Sequence, residues 1–103
     1  MPYHGLTITI ANANTNYNLL QLVRAVRPEA PALAREVIIT ASPENSADIL
    51  IGDETLSATN YGVRLAPMDA LVHRTVQPSV PLGGIWLRSS ASNQKVSITI
   101  IEA

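Results

Sequence analysis

The sequence predicts a mainly β protein, either an antiparallel β-sandwich or a jelly-roll-like barrel with one short helix. Segments near the two ends, residues 6–10 and 96–100, strictly alternate aliphatic and hydroxyl-bearing residues, as half-buried strands do. Beyond Thr59, short apolar runs are separated by turn residues, which is typical of sandwiches and barrels. Because the chain has 103 residues, we expect a single domain over residues 1–103.

The two end segments are predicted to pair with each other. Residues 6–10 read LTITI and residues 96–100 read VSITI, so each segment has an aliphatic face and a hydroxyl face. Such faces match when the strands are neighbours, because Thr opposite Thr or Ser is a favourable cross-strand pair.

One helix is predicted over about residues 16–27. Four apolar residues fall at helical spacing there, namely Leu19, Leu20, Val23 and Val26. Thr15 or Asn16 is a candidate N-cap, and Pro28 is expected to end the helix.

Five further strands are predicted, at residues 37–41, 48–51, 63–66, 70–76 and 85–88. Turn residues lie between or after the later ones, at residues 60–62, 67–69, 78–81 and 89–93. Residues 48–51 end in three consecutive aliphatic side chains, which indicates a central strand covered on both faces.

Charge and cysteine content exclude several kinds of function. The net charge is -1 and the seven Lys and Arg residues are dispersed, whereas a nucleic-acid-binding protein needs a clustered basic face. Without cysteine, disulfides, thiolate metal sites and cysteine nucleophiles are excluded. The N-terminus does not resemble a signal peptide, and no apolar run approaches the roughly 20 residues of a membrane span. We therefore expect a soluble protein that binds no membrane and is not exported through a cleaved signal.

No metal or cofactor is predicted. His4 and His73 are the only histidines, and a cupin-like metal site needs two or three histidines close together, usually with a glutamate. Arg74 beside His73 would repel a cation, so His73 is interpreted as a residue on a strand surface.

The candidate catalytic side chains are interpreted as turn residues. Asp53 and Glu54 follow Gly52, and Asp69 follows Pro67, and turn chemistry accounts for a carboxylate at each position. The candidate nucleophiles lie in polar turns with no histidine nearby in the sequence: Ser57, Ser89, Ser90 and Ser92. Because no Gly-x-Ser-x-Gly motif occurs either, we predict that the protein is not an enzyme.

The pair Gly83–Gly84 precedes the only tryptophan, Trp86. The pair lacks the lysine of a phosphate-binding loop and is interpreted as the entry to the strand that carries Trp86. Since Ile85 and Leu87 flank this tryptophan, it is predicted to lie in the core or at an interface.

Two stretches, ADILIGDETLSATNYGVRLAPMDALVHR and LGGIWLRSSASNQKVSITIIEA, resemble small structural proteins of tailed bacteriophage virions. In that family, a strand ending in Ile-Gly-Asp is followed by Ser-Ala-Thr/Ser-Asn-x-Gly-x-x-Leu-x-Pro-Gly-Asp/Glu. An Ile-Trp/Tyr-Leu/Val strand, a polar turn and a β-branched strand then close the domain. The matching residues are Gly52, Asp53, Ser57, Ala58, Asn60, Gly62, Leu65, Pro67, Asp69, Ile85, Trp86 and residues 96–100.

The resemblance implies a compact β-sandwich that decorates and stabilises a phage capsid as a cement protein, often as a homotrimer. Its partners would be the major capsid protein and further copies of itself. It would be made in the bacterial cytoplasm and located on the virion surface. Candidate contact residues are apolar or aromatic side chains with arginines at the rim, namely Tyr17, Arg24, Tyr61, Arg64 and Met68.

Met68 departs from the family pattern, which has Gly after Pro at this point. A type II turn needs a positive φ there. We therefore expect either a type I turn at residues 66–69 or an apolar side chain exposed at a contact.

Other classes of function stay open. A phage tail or adaptor protein would share the same pattern. A cupin-like module that binds a small ligand or carbohydrate would need a concave pocket lined by aromatic residues, and the chain offers few of them: Tyr3, Tyr17, Tyr61 and Trp86.

Overall fold

A computed structural model describes residues 3–74 and 80–102. In this part of the chain, two antiparallel sheets and one α-helix surround a shared core, and the sheets do not close into a barrel. The predicted fold class is therefore confirmed, and of its two variants the β-sandwich is the one observed. No helix among the described residues has the length and apolar character needed to cross a membrane.

The larger sheet contains five strands: β1 (Tyr3–Ile10), β3 (Leu33–Ala41), β6 (Ala70–Arg74), β7 (Val80–Pro81) and β9 (Gln94–Glu102). Their order is β1-β9-β3-β6, with β7 also paired to β3. The predicted pairing of the two end segments is confirmed, and Thr7 lies opposite Ser97 on the hydroxyl face. The last strand of the chain is thus an interior strand of the larger sheet.

The smaller sheet contains β2 (Tyr17–Asn18), β4 (Ile49–Gly52), β5 (Val63–Leu65) and β8 (Trp86–Ser89), in the order β2-β8-β4-β5. Strand β4 is an interior strand, as predicted, but only one of its faces is buried. Ile49 and Ile51 lie in the core, whereas Leu50 points to the opposite face and is only half-buried. The expectation of cover on both faces was wrong because no other layer packs on this face in the described residues.

The core fills the space between the sheets. The larger sheet contributes Ile8, Ile10, Val37, Ile39, Val96, Ile98 and Ile100, and the smaller sheet contributes Ile49, Ile51, Leu65 and Leu87. These positions are two residues apart along each strand, so the period of two in the sequence corresponds to one buried face.

The helix α1 (Leu19–Val26) is shorter than predicted. Its N-cap is Asn18, whose side-chain oxygen accepts a hydrogen bond from the Gln21 N–H. Neither predicted cap is used, because Thr15 donates to the Ala13 carbonyl and Asn16 donates to the Leu56 carbonyl. The helix therefore begins later than predicted. Leu19 and Val23 are buried, but Val26 at the end of the helix is 53% exposed.

The later elements differ slightly from the predicted bounds. Strand β6 is observed to Arg74, and the rest of the strand predicted over residues 70–76 lies outside the described residues. Part of the turn predicted at 78–81 also lies outside them, and Val80–Pro81 forms β7. Residues Leu82–Gly84 form a single 3-10 turn that leads into β8.

Trp86 is not a core residue. It is half-buried, and the alternation along β8 buries Leu87 and Ser89 while Trp86 and Arg88 lie toward the outer face. The core alternative predicted for Trp86 was therefore wrong, because the strand has the opposite register to the one that would bury the indole.

Substitution of the two neighbouring residues tests this register. Leu87→Ala is expected to lower the free energy of unfolding by about 2–5 kcal/mol, because it leaves a cavity in the core. Trp86→Ala is expected to cost about 1–2 kcal/mol, since the indole is only partly removed from water. Urea unfolding of both variants measures the difference, and a larger loss for Trp86→Ala than for Leu87→Ala would contradict the observed register.

Candidate functional site

A groove lies on the outer face of the smaller sheet. Its volume is about 430 Å³, within the range of small-molecule sites. The lining residues come from the segment before β4, from β4 and β5, from the loop that joins them and from the end of β8: Ser46, Ala47, Asp48, Leu50, Ala58, Tyr61, Arg64 and Ser90. Leu50 is the half-buried residue that no second layer covers in the part of the chain that the structure describes.

Two charged side chains of the groove lining are paired with each other. The Arg64 Nε–H donates to a carboxylate oxygen of Asp48. This hydrogen bond, followed by the neighbouring Tyr61 side chain, raises the pKa of Arg64. The lining thus presents one positive and one negative charge that are already paired.

The part of the lining formed by Ser46 and Ala47 is held by Gln94, a buried polar residue at the start of β9. Its Oε1 accepts hydrogen bonds from the backbone N–H groups of Ser46 and Ala47, at 2.8 and 3.0 Å. Its Nε2 donates to Ser46 Oγ and to the carbonyl of Ser92. The sequence prediction missed Gln94, although a glutamine in the first position of a strand with a buried face is a signal for a buried amide network.

Asn45 adds a second anchor for the same segment. Its side chain accepts from the Lys95 N–H at 2.8 Å and donates to the Lys95 carbonyl at 2.9 Å. These two bonds imitate the pairing of a neighbouring strand. Segment 42–47 is therefore fixed to β9 before any ligand or partner binds.

The loop 53–62, between β4 and β5, is a set of tight turns, as predicted. Asp53 Oδ1 accepts from the N–H and the hydroxyl of Thr55, at 2.8 and 2.6 Å. Asn60 donates to Thr55, and the Ser57 hydroxyl accepts from the N–H of Asn60. Asp53 and Ser57 therefore serve the local turns, which agrees with the interpretation given to them from the sequence.

The hydrogen bond from the Thr55 hydroxyl, followed by that from the Thr55 N–H, lowers the pKa of Asp53. Because folding lowers the pKa of Asp53, its ionised carboxylate stabilises the turn at pH values above the pKa that Asp53 has in the unfolded chain. This contribution is lost as the pH falls through the folded pKa.

Removal of the Thr55 hydroxyl should therefore raise the pKa of Asp53 toward its ordinary value. The expected result for Thr55→Val is an upward shift in the carboxyl titration of Asp53, measured by carbon-13 NMR. Thr59→Val, in the same loop, is the matched control and should leave the titration of Asp53 unchanged. The same titration in Thr55→Val and the native chain would show that the hydroxyl does not determine the pKa.

Met68 has an unusual backbone conformation. The Asp69 N–H donates to the Ala66 carbonyl at 2.9 Å, and Met68 has a φ of 79°, so residues 66–69 with Pro67 in second place form a type II turn. The expected type I turn was wrong. Of the alternative expectation, an apolar side chain exposed at a contact, the exposure is observed, since Met68 is 73% exposed. The contact stays a prediction.

The turn at 66–69 is held in this conformation by its neighbours. The Met68 N–H donates to the Ala41 carbonyl at 3.0 Å, and the Ala41 N–H donates to the Asp69 carbonyl at 2.9 Å. The Asp69 carboxylate accepts from the Ala66 N–H, so Asp69 has the structural role predicted for it. The turn joins edge strand β5 of one sheet to edge strand β6 of the other.

A glycine at position 68 should relieve the strain of the left-handed conformation. Met68→Gly is expected to raise the free energy of unfolding by about 1 kcal/mol, because the left-handed penalty exceeds the entropy that glycine adds to the unfolded chain. Asn93→Gly is the control, since Asn93 also has a positive φ of 56° but asparagine tolerates it. Equal effects of the two substitutions, measured by urea unfolding, would argue against strain at Met68.

The other predicted contact residues lie in different places. Tyr17 in β2 is half-buried against the core, and its hydroxyl accepts from the Asn12 N–H. Arg24 is exposed on α1 and donates to the Ala30 carbonyl. The structure thus brings together Tyr61 and Arg64 at the groove, and neither Tyr17, Arg24 nor Met68 lines it.

One candidate nucleophile has other surroundings than predicted. Ser89 is fully buried at the end of β8 and donates to the Asp48 carbonyl at 3.0 Å, whereas a polar turn was expected. Glu54 is exposed in a turn of the loop 53–62, as predicted. Among the described residues no cluster of three or more His, Asp or Glu side chains is suited to a metal ion, and the side chains of His4 and His73 lie outside them.

The resemblance of residues 48–101 to virion proteins stays a hypothesis drawn from the motif. No family model matches the sequence, and no curated protein or solved structure matches it either.

Proposed function

We propose that this chain is a non-enzymatic structural protein of a tailed-bacteriophage virion, acting as a cement protein that binds the major capsid protein and stabilises the head. In this role it occupies the capsid surface, associates as a homotrimer and needs no cofactor, nucleic acid or membrane. The motif in residues 48–101 supports the proposal, together with the exposed side chains described below.

Met68 is the observation that carries the proposal. An apolar side chain is 73% exposed on a turn whose backbone favours glycine, and this arrangement is costly for an isolated chain. Burial of the side chain against a partner would offset that cost. Strain of this kind is typical of positions that a functional contact maintains.

Other exposed apolar residues offer further contact area. Tyr61 is 41% exposed and Leu33 is 51% exposed. Each subunit would need only a standard-size contact, about 1,600 Å² in total, since symmetry repeats the contact over the shell. Apolar contacts of this kind should persist at moderate salt, because screening acts mainly on exposed charges.

The test uses particles from which the protein has been deleted or stripped. These particles should lose resistance to heat and chelator, and added native protein should restore it. Met68→Asp should weaken the rebinding at least about tenfold, because it places a charge in an apolar contact. Val26→Asp is the control for a charge at an exposed apolar position outside the proposed contact and should rebind more tightly than Met68→Asp.

Two results would contradict the proposal. If particles that lack the protein are as robust as complete particles, the protein is not a cement protein. If particle proteomics finds it only in tails or necks, a tail or adaptor role replaces the capsid role. Light scattering of the purified protein tests the trimer separately, and a monomer at micromolar concentration would contradict that part.

A further inference from the structure

The groove on the smaller sheet combines three kinds of contact group that ligand sites use. Its lining contains the apolar side chain of Leu50 and the aromatic ring of Tyr61, the paired Asp48 and Arg64 side chains, and the hydroxyls of Ser46 and Ser90. Tyr61 is 41% exposed. An aromatic ring beside paired hydrogen-bonding groups suits a ligand with both apolar and polar surfaces.

The charges of the groove determine what kind of ligand fits. Arg64 and Asp48 are bonded to each other, so the site has no net charge from this pair. An anion would bring its charge close to the Asp48 carboxylate, and a cation would bring its charge close to the guanidinium. A neutral ligand can use both groups without separating them, because a carboxylate has about four acceptor sites and a guanidinium five donors.

We propose that the groove binds a neutral saccharide. The sugar's C–H face would pack on the ring of Tyr61 and on Leu50. Its hydroxyls would donate to Asp48 and accept from the guanidinium N–H groups of Arg64 other than Nε–H, which is bonded to Asp48. A hydroxyl both donates and accepts hydrogen bonds. A saccharide therefore complements the accepting carboxylate of Asp48 and the donating guanidinium of Arg64 better than a ligand that only donates or only accepts.

The site is organised before binding. Gln94 fixes Ser46 and Ala47 through two backbone hydrogen bonds. On the other side, the Gly62 N–H donates to the Ile51 carbonyl at 2.8 Å and holds the segment that carries Tyr61. Pre-organisation reduces the ordering cost of binding, although the groove is open and we expect a dissociation constant on the order of 1 mM.

Nitrogen-15 NMR titration of the full chain tests the proposal. The probes are maltohexaose, cellohexaose and chitohexaose, each raised toward its solubility limit, with sulfated dextran as an anionic comparison. At least one neutral oligosaccharide should shift the amide signals of residues 46–50, 58–64 and 90. Shifts spread over the whole surface, or a response to sulfated dextran alone, would overturn the inference.

Variants assign the binding to the groove. Tyr61→Ala should weaken binding by about tenfold through loss of the ring contact, while Tyr61→Phe, which keeps the ring, should retain most of it. Met68→Ala is the matched control, since Met68 is exposed but does not line the groove. Because Tyr61 is a surface residue, the native fold of each variant is checked by its amide spectrum. Unchanged affinity in Tyr61→Ala would place the saccharide elsewhere.

The inference shares Tyr61 with the proposed capsid contact but does not rest on the cement role, and the two can fail separately. If Tyr61→Ala abolishes capsid binding and no neutral oligosaccharide binds the native chain, the groove is part of the protein contact and the saccharide site is wrong. If saccharides bind in the groove while the chain does not stabilise particles, the cement role is wrong and the saccharide site stands.

Discussion

The rest of the structure depends on the insertion of β9 between β1 and β3. This strand brings the last residues of the chain against the first strand on one side and against residues 34–41 on the other. Its buried residues, Val96, Ile98 and Ile100, lie in the middle of the larger sheet's contribution to the core. Each pairing brings together two segments that are far apart in the sequence. The chain therefore loses conformational entropy before most of its apolar surface is buried. We therefore infer that the sandwich forms cooperatively, with little stable structure in the N-terminal half alone.

The same strand also organises the groove, although the groove is on the other sheet. Gln94 and Lys95 at the start of β9 hold segment 42–47 through side-chain and backbone hydrogen bonds. That segment leads directly into Asp48 and β4. A buried amide with all of its bonding groups used is rigid, since any displacement would leave polar atoms without partners in a low-dielectric interior. The position of Asp48 is therefore set by the packing of β9 as much as by β4 itself.

The fold could be read from the sequence where a local pattern and burial agree. Alternation in residues 6–10 and 96–100 indicates one buried face on each strand, and the predicted pairing of the two hydroxyl faces is observed at Thr7 and Ser97. Turn roles for Asp53 and Asp69 were also predictable, since their chemistry is local. The first residue of the helix was not predictable, because Asn16 donates a hydrogen bond to the carbonyl of Leu56, which is far away in the sequence. Leu50 and Trp86 were misjudged for a related reason, namely that apolar character alone does not show whether a second layer covers a sheet.

The groove could not have been predicted from residue types, because its parts are ordinary in isolation. Asp48, Tyr61 and Arg64 become a unit only when β5 pairs with β4 and places Arg64 opposite Leu50. The turn at Met68 shows the converse: the residue type argues against a type II turn, yet hydrogen bonds with Ala41 impose one. In both places, the sandwich holds polar or apolar side chains on its surface in arrangements that add little to the stability of the core. Binding sites are expected on surfaces of this kind, because the stability of the surrounding scaffold keeps otherwise unfavourable arrangements in place.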